Sequence, residues 1–127
     1  MFSEMVHDLE HGIFPDLGLL RGRCHAAVTK KLALVRLPPA YWESDPKRNP
    51  DTRHLLWAIL LLHDLDLFEV IKGIILMEEA EGKGLSAEDF WTNSVEEFLA
   101  LAPDLHFKAL LQEQVAWVEK GPEGSHK

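Results

Sequence analysis

The stretch LLWAILLL, residues 55–62, is the longest uninterrupted apolar run in the chain. Because consecutive apolar residues place apolar side chains on every side of a helix, such a helix lies in the centre of a bundle or has one side covered by another subunit. The run is much shorter than the roughly 20 residues that cross a bilayer. We therefore expect a core or an interface here, and the sequence predicts no membrane contact.

The helix that contains this run has a clear start and an interrupted middle. Asn49 and Pro50 are a good cap and first-turn pair, so the helix is expected to begin there. Three acidic residues after residue 63 interrupt the apolar pattern, and about thirty residues exceed the usual globular length. We predict a bend or break between His63 and Leu67, which leaves either one bent helix or two consecutive helices.

The amino-terminal segments also carry apolar residues at helical spacing. Residues 2–9 predict a short amphipathic helix that stops at Gly12. Asp16 can cap the long helix that follows, and Pro38 and Pro39 end it because proline supplies no amide donor. Two helices are therefore expected before the central one.

The carboxyl-terminal third gives further helix start signals. Ser86 is predicted to cap one helix, and Ser94 with Glu97 matches the S-x-x-E capping box of another. A last helix from Asp104 is predicted to end at residues 120 and 121, where a glycine follows a lysine.

These elements predict an all-α fold, a single-domain helical bundle of five to seven helices over residues 1–121, with a flexible C-terminal tail over residues 122–127. No strand-like alternation, repeat or low-complexity tract is present. Cys24, the single cysteine, lies in an apolar stripe and is expected to be packed and unreactive. It has no internal disulfide partner, and the start MFSEMVHDLEHG lacks a secretory signal, so a cytoplasmic location is predicted.

Charge is unevenly distributed along this acidic chain, whose net charge is −8. Residues 17–53 hold eight Lys and Arg against three acids, whereas residues 64–127 hold five basic and fourteen acidic residues. Two interpretations follow. The basic helix packs beside the acidic helices and the charges compensate within one chain, or the charges steer a protein partner or a second copy. Under the second interpretation the basic contacts are Arg21, Arg23, Lys30 and Lys31.

The proline-rich loop of residues 38–50 contains an aromatic pair, Tyr41 and Trp42. A loop of this length usually folds over the surface or serves a binding role. The pair therefore anchors either the loop to its own chain or a partner to the loop. Together with apolar residues of the central helix, the predicted interface consists of Tyr41, Trp42, Leu55, Trp57, Leu61 and the four basic residues above.

The segment HDLEH, His7 to His11, matches the zinc-protease pattern H-x-x-E-H. On a helical projection both histidines fall opposite the apolar side of the first helix, so they are expected to face water. A zinc protease needs a third ligand and a cleft, and Gly12 terminates this helix directly after the motif. The sequence therefore predicts two exposed histidines and no catalytic zinc.

A second pattern raises an enzymatic alternative. The stretch LLLHDLD, in which His63 precedes Asp64, resembles the metal-binding step of the HD-domain phosphohydrolases. The resemblance implies a divalent metal held by His63 and Asp64, an upstream histidine (His25 or His54) and a downstream aspartate (Asp89 or Asp104). It covers two residues, and the glycine and lysine common after the pair in that family are replaced here by Leu65, Asp66 and Leu67.

The most consistent function is protein–protein interaction, as an accessory, regulatory or adaptor subunit, plausibly homodimeric. Nucleic acid binding is disfavoured because the net charge of −8 repels phosphate. No nucleotide-binding or nucleophile motif and no paired cysteines are present, and no cofactor is predicted. The alternative is a metal-dependent phosphohydrolase that uses His63 and Asp64.

Overall fold

Helix α3, Thr52–Leu62, lies at the centre of the molecule, and four other helices surround it. The computed structural model describes residues 2–42, 49–82 and 85–124. Within these residues the chain forms helices and no strand, which confirms the predicted all-α bundle. The remaining elements are α1 (Ser3–Glu10), α2 (Leu17–Val35), a 3-10 turn (Pro39–Tyr41), α4 (Leu65–Ala80), α5 (Ala87–Ala100) and α6 (Leu105–Gly124).

Four helices, α2, α4, α5 and α6, pack against α3. Every side chain of residues 55–62 is buried, because enclosure on all sides removes the most apolar surface from water. The prediction that Leu55, Trp57 and Leu61 form an interface is therefore corrected. Each is at most 4% exposed and belongs to the core of the single chain.

Two tryptophans tie the outer helices to α3. The indole Nε1 of Trp57 donates to the carbonyl of Ser94 on α5 at 2.9 Å, and Nε1 of Trp117 on α6 donates to the carbonyl of Leu60 at 2.9 Å. A buried indole N–H needs such an acceptor. These two hydrogen bonds are directional, so they fix the positions of α5 and α6 against α3.

The predicted break in the central segment is confirmed, and it produces two consecutive helices. His63 ends α3 with a left-handed backbone, φ 54° and ψ 39°. Asp64 then caps α4, because its Oδ1 accepts a hydrogen bond from the amide of Leu67 at 2.9 Å. The resulting turn allows α3 and α4 to pack against each other.

The first helix also follows the sequence pattern. Phe2, Met5 and Leu9 are buried, and Gly12 ends the segment with φ 71°. A Cβ atom at this glycine would lie 3.3 Å from Cγ of Pro103. Both the backbone angle and the close approach suit glycine, so the predicted stop is confirmed.

The predicted capping box at Ser94 is wrong. Ser86 is the cap of α5, with its Oγ accepting from the amide of Asp89 at 3.2 Å, and the helix continues through Ser94. Ser94 is buried beside α3, where its carbonyl serves Trp57, and its hydroxyl has no hydrogen-bond partner in the described part of the chain. Local start signals cannot show that an earlier cap already governs the same helix.

The predicted end of the last helix is also wrong. α6 continues past Lys120 and Gly121 to Gly124. The glycine and the proline at positions 121 and 122 both lie within these bounds. Residues 122–124 of the predicted tail thus belong to α6, and residues 125–127 lie outside the described residues.

Substitution of His63 tests the strain at the junction. His63→Gly and His63→Ala both remove the imidazole ring, but a left-handed backbone is unfavourable for alanine by about 1 kcal/mol. We expect the glycine variant to be the more stable of the two by about that amount. Urea denaturation measures the difference, and equal stability of the two variants would contradict the left-handed junction.

His54 on α3 makes the stability depend on pH. Burial lowers the pKa of His54 below its usual value of 6.5, and Arg53 lowers it further, while Asp51 and Glu97 oppose the shift. The unfolded chain therefore binds the proton more tightly than the folded protein. We expect the free energy of unfolding to fall as the pH drops through 6.5 toward the lowered pKa.

His54→Gln is the matched control, because glutamine does not titrate. Urea denaturation of both proteins between pH 5 and pH 8 isolates this histidine from the others. The wild-type protein should lose stability more steeply toward acid, and parallel curves would contradict the shift.

Candidate functional site: an apolar groove between α4, α5 and α6

The basic side chains of α2 mostly pair with acids of the same chain. Nη1 of Arg21 lies 3.4 Å from Asp64, and Nη1 of Arg23 lies 3.1 Å from Glu4. Both arginine side chains remain well exposed, so each pair contributes little to stability. Of the two interpretations of the charge distribution, these contacts support compensation within one chain, and they weaken the case for Arg21 and Arg23 as partner contacts.

Lys31 belongs to the interior, although Lys30 beside it is exposed. Its side chain is 3% exposed, and its ammonium lies 3.5 Å from Glu78 on α4 and also contacts Asn49. Thr52 donates to the same glutamate at 2.8 Å. Burial lowers the pKa of Lys31, and Glu78 opposes the shift. Lys31 therefore joins α2 to α4, and its predicted interface role is corrected to a core role.

The aromatic pair of the loop divides into two roles. Nε1 of Trp42 donates to the carbonyl of Leu37 at 2.9 Å, and the ring packs against the core. Tyr41 is 69% exposed. Trp42 thus anchors the loop to its own chain, whereas Tyr41 stays available to a partner. The rest of the loop, residues 43–48, lies outside the described residues.

His63 and Asp64 serve the helix junction. One ring nitrogen of His63 lies 2.6 Å from Oε1 of Gln114, and the ring stacks on Trp117 at 5.2 Å. Asp64 uses one carboxylate oxygen as a cap and the other for Arg21. No group of three or more His, Cys, Asp or Glu placed to hold a metal ion occurs in the part of the chain that the structure describes. Because a ring nitrogen of His63 and both carboxylate oxygens of Asp64 already have partners within the chain, these contacts favour a structural role for the pair.

The histidine pair at the amino terminus faces water, as predicted. The rings of His7 and His11 stack at 4.2 Å, and Nδ1 of His11 donates to the carbonyl of His7 at 2.8 Å. Nδ1 of His11 is therefore occupied by a hydrogen bond to the backbone, and His11 is the C-cap residue of α1.

Cys24 is fully buried and has no disulfide partner. Burial raises the pKa of the thiol to about 12, and the charge of Asp64 adds to this effect. The thiolate is therefore scarce at neutral pH, which supports the predicted unreactive cysteine and excludes it as a nucleophile.

An open groove of about 370 Å³ runs between α4, α5 and α6. Two of its lining residues are charged, Lys72 on α4 and Glu119 on α6. The others are apolar, and Leu76 at the edge is 55% exposed. The principal apolar contributors are Leu56, Phe68, Ile75, Leu76, Trp91 and Val118.

Aromatic contacts connect two residues of the groove lining, Phe68 and Trp91, to the core. The ring of Phe68 meets the edge of Trp91 at 6.1 Å and of Trp117 at 6.0 Å. Trp117 is fixed in turn by its bond to α3 and by the stacked ring of His63. Because these contacts connect the groove to the core, its apolar surface is largely pre-formed, as binding sites generally are.

Lys72 has local partners for its charge. Its ammonium lies 3.0 Å from Glu69 one turn earlier and 5.3 Å from the centre of the Phe68 ring. The base therefore covers part of the Phe68 ring through a cation–π contact at the edge of the groove.

None of the site residues predicted from the sequence lines this groove. A signal was present, because residues 74–77 read IILM, and four consecutive apolar residues cannot all face one side of a helix. Ile74 is buried in the core, whereas Leu76 projects outward. Whether Ile74 or Leu76 packs against another helix depends on the placement of α5 and α6, which the sequence pattern does not show.

Within the described residues, no helix combines the length and the apolar character that crossing a bilayer requires. Comparisons with models of protein families, with curated proteins and with solved structures give no match to this chain.

Two substitutions of Asp64 separate capping from metal binding. Asp64→Ala removes the cap of α4 and is expected to lower the free energy of unfolding by about 1 kcal/mol, whereas Asp64→Asn retains most of it because asparagine caps equally well. Urea denaturation with and without EDTA, with elemental analysis of the purified protein, provides the measurement. Stoichiometric metal, or a loss of stability in chelator, would contradict the structural role.

Proposed function

We propose that this protein acts through protein–protein contacts, by accepting an apolar segment of a partner protein in the groove between α4, α5 and α6. The observation that carries the proposal is an open apolar groove with Leu76 at its edge and Trp91 in its wall. Exposed, pre-formed apolar surface next to a large aromatic side chain is typical of interaction sites.

The composition of the groove favours a protein segment over a small molecule. Sites for small molecules combine an apolar lining with a few polar groups that converge on the ligand. Here the two charged lining residues are exposed to solvent, and the ammonium of Lys72 already contacts Glu69 and the ring of Phe68. A row of apolar side chains from a partner needs no such polar anchor.

This assignment makes the protein an accessory, regulatory or adaptor subunit. We propose a cytoplasmic location, which the buried, unpaired thiol of Cys24 supports. Homodimer formation stays a prediction, and sedimentation at two ionic strengths measures it.

Leucine-to-glutamate variants test the groove. Leu76→Glu places a charge on an exposed leucine of the groove, and Leu37→Glu places one on a leucine of similar exposure, 48%, two residues after the end of α2. The probes are three helical peptides of equal length with one leucine stripe, one basic, one neutral and one acidic. We expect saturable binding of at least one peptide, with chemical-shift changes in α4, α5 and α6 of isotope-labelled protein.

Leu76→Glu should weaken this binding by at least about tenfold, whereas Leu37→Glu should leave it nearly unchanged. Urea denaturation of both variants confirms that they are folded. The proposal fails if none of the three peptides binds, or if both variants weaken binding equally.

A further inference from the structure

We infer that the occupant of the groove is a basic amphipathic α-helix of a partner protein. This inference rests on the proposed function, since it names the partner class for the same groove. Two features of the groove carry it. Its walls are helices that offer no unpaired backbone ladder, and the charged side chains that the structure describes at its margin include three acids, Glu79, Glu88 and Glu119, against the base Lys72.

The helical walls of the groove favour a helical conformation of the bound segment. The lining residues belong to α3, α4, α5 and α6, whose backbone groups are bonded within their own helices. An extended segment laid along them would bring its own N–H and C=O groups against apolar side chains without partners, at a cost of roughly 1–3 kcal/mol for each group left unpaired. A helix satisfies these groups internally and presents only side chains, as in other helix-in-groove complexes.

The acidic residues at the margin of the groove favour a basic bound segment. Glu119 lines the groove and is exposed. Glu79 reaches across to accept a hydrogen bond at 3.1 Å from the amide of Ala87, a lining residue, and the exposed Glu88 follows it. Lys72, the one base among the lining residues, is paired with Glu69. A helix with lysine or arginine beside its apolar stripe therefore gains attraction at the margin, whereas an acidic helix is repelled.

A second copy of this chain is a poor occupant by comparison. Its basic helix, α2, is packed against α3 and α4 within its own bundle. Arg21 and Arg23 on that helix already meet Asp64 and Glu4. The apolar stripe that a docked helix must present is thus used inside the monomer.

The experiment compares the basic, neutral and acidic peptides at low and high salt. We expect the basic peptide to bind at least about tenfold more tightly than the acidic one at low salt, and we expect this preference to shrink at high salt through screening. A fourth peptide has the basic composition with prolines that prevent a helix. It should not bind measurably, because its backbone groups would stay unpaired in the groove.

Two double charge-reversal variants test whether the preference for the basic peptide arises at the groove. Glu88→Lys with Glu119→Lys reverses charge at the margin, whereas Glu96→Lys with Glu113→Lys makes the same change in net charge on α5 and α6 at exposed positions outside the lining. The first double variant should lose the preference for the basic peptide, and the second should largely keep it.

Each outcome decides a different claim. Binding of none of the helical peptides overturns the proposed function itself. Equal binding of the basic and acidic peptides, or tight binding of the proline peptide, overturns this inference while the proposed function stands. A homodimer that Leu76→Glu dissociates also overturns it, because the occupant would then be a second copy.

Discussion

The enclosure of helix α3 by α2, α4, α5 and α6 is the constraint on which the rest of the structure depends. A helix that is apolar on every side has no face to give to water, and burying each large side chain contributes about 1.5–3 kcal/mol. The surrounding helices must therefore close around it, and the indole bonds from Trp57 and Trp117 fix how two of them do so. The groove results from this closure, because Phe68 in its lining packs against the ring of Trp117.

The junction between α3 and α4 shows how a helix break can imitate a catalytic motif. A left-handed residue followed by a capping carboxylate turns the chain back into the bundle, and histidine followed by aspartate satisfies both needs. The same two letters are a metal-binding step in other proteins. What separates the two roles is the commitment of the carboxylate, since both oxygens of Asp64 already accept bonds from Leu67 and Arg21.

Charge has two functions in the structure. Toward α2, acids such as Glu4 and Asp64 neutralise the arginines, and Glu78 accompanies the buried Lys31. On the side of α4, α5 and α6, acids such as Glu88 and Glu119 stay exposed beside apolar surface. Among the described side chains, the acids near α2 are therefore paired within the chain, whereas Glu88 and Glu119 remain exposed beside the groove.

The sequence by itself determined the helical class, the apolar character of residues 55–62 on every side of their helix, the break between His63 and Leu67 and the exposure of His7 and His11, because these follow from local spacing, capping and turn chemistry. Only the tertiary structure decided that Leu55, Trp57, Leu61 and Lys31 are core, that Ser94 lies inside a helix, and that Leu76 and Trp91 form an open groove. The physical reason is that the sequence shows whether a side chain prefers an apolar environment or water. Whether a neighbouring helix satisfies that preference depends on contacts between residues far apart in the chain.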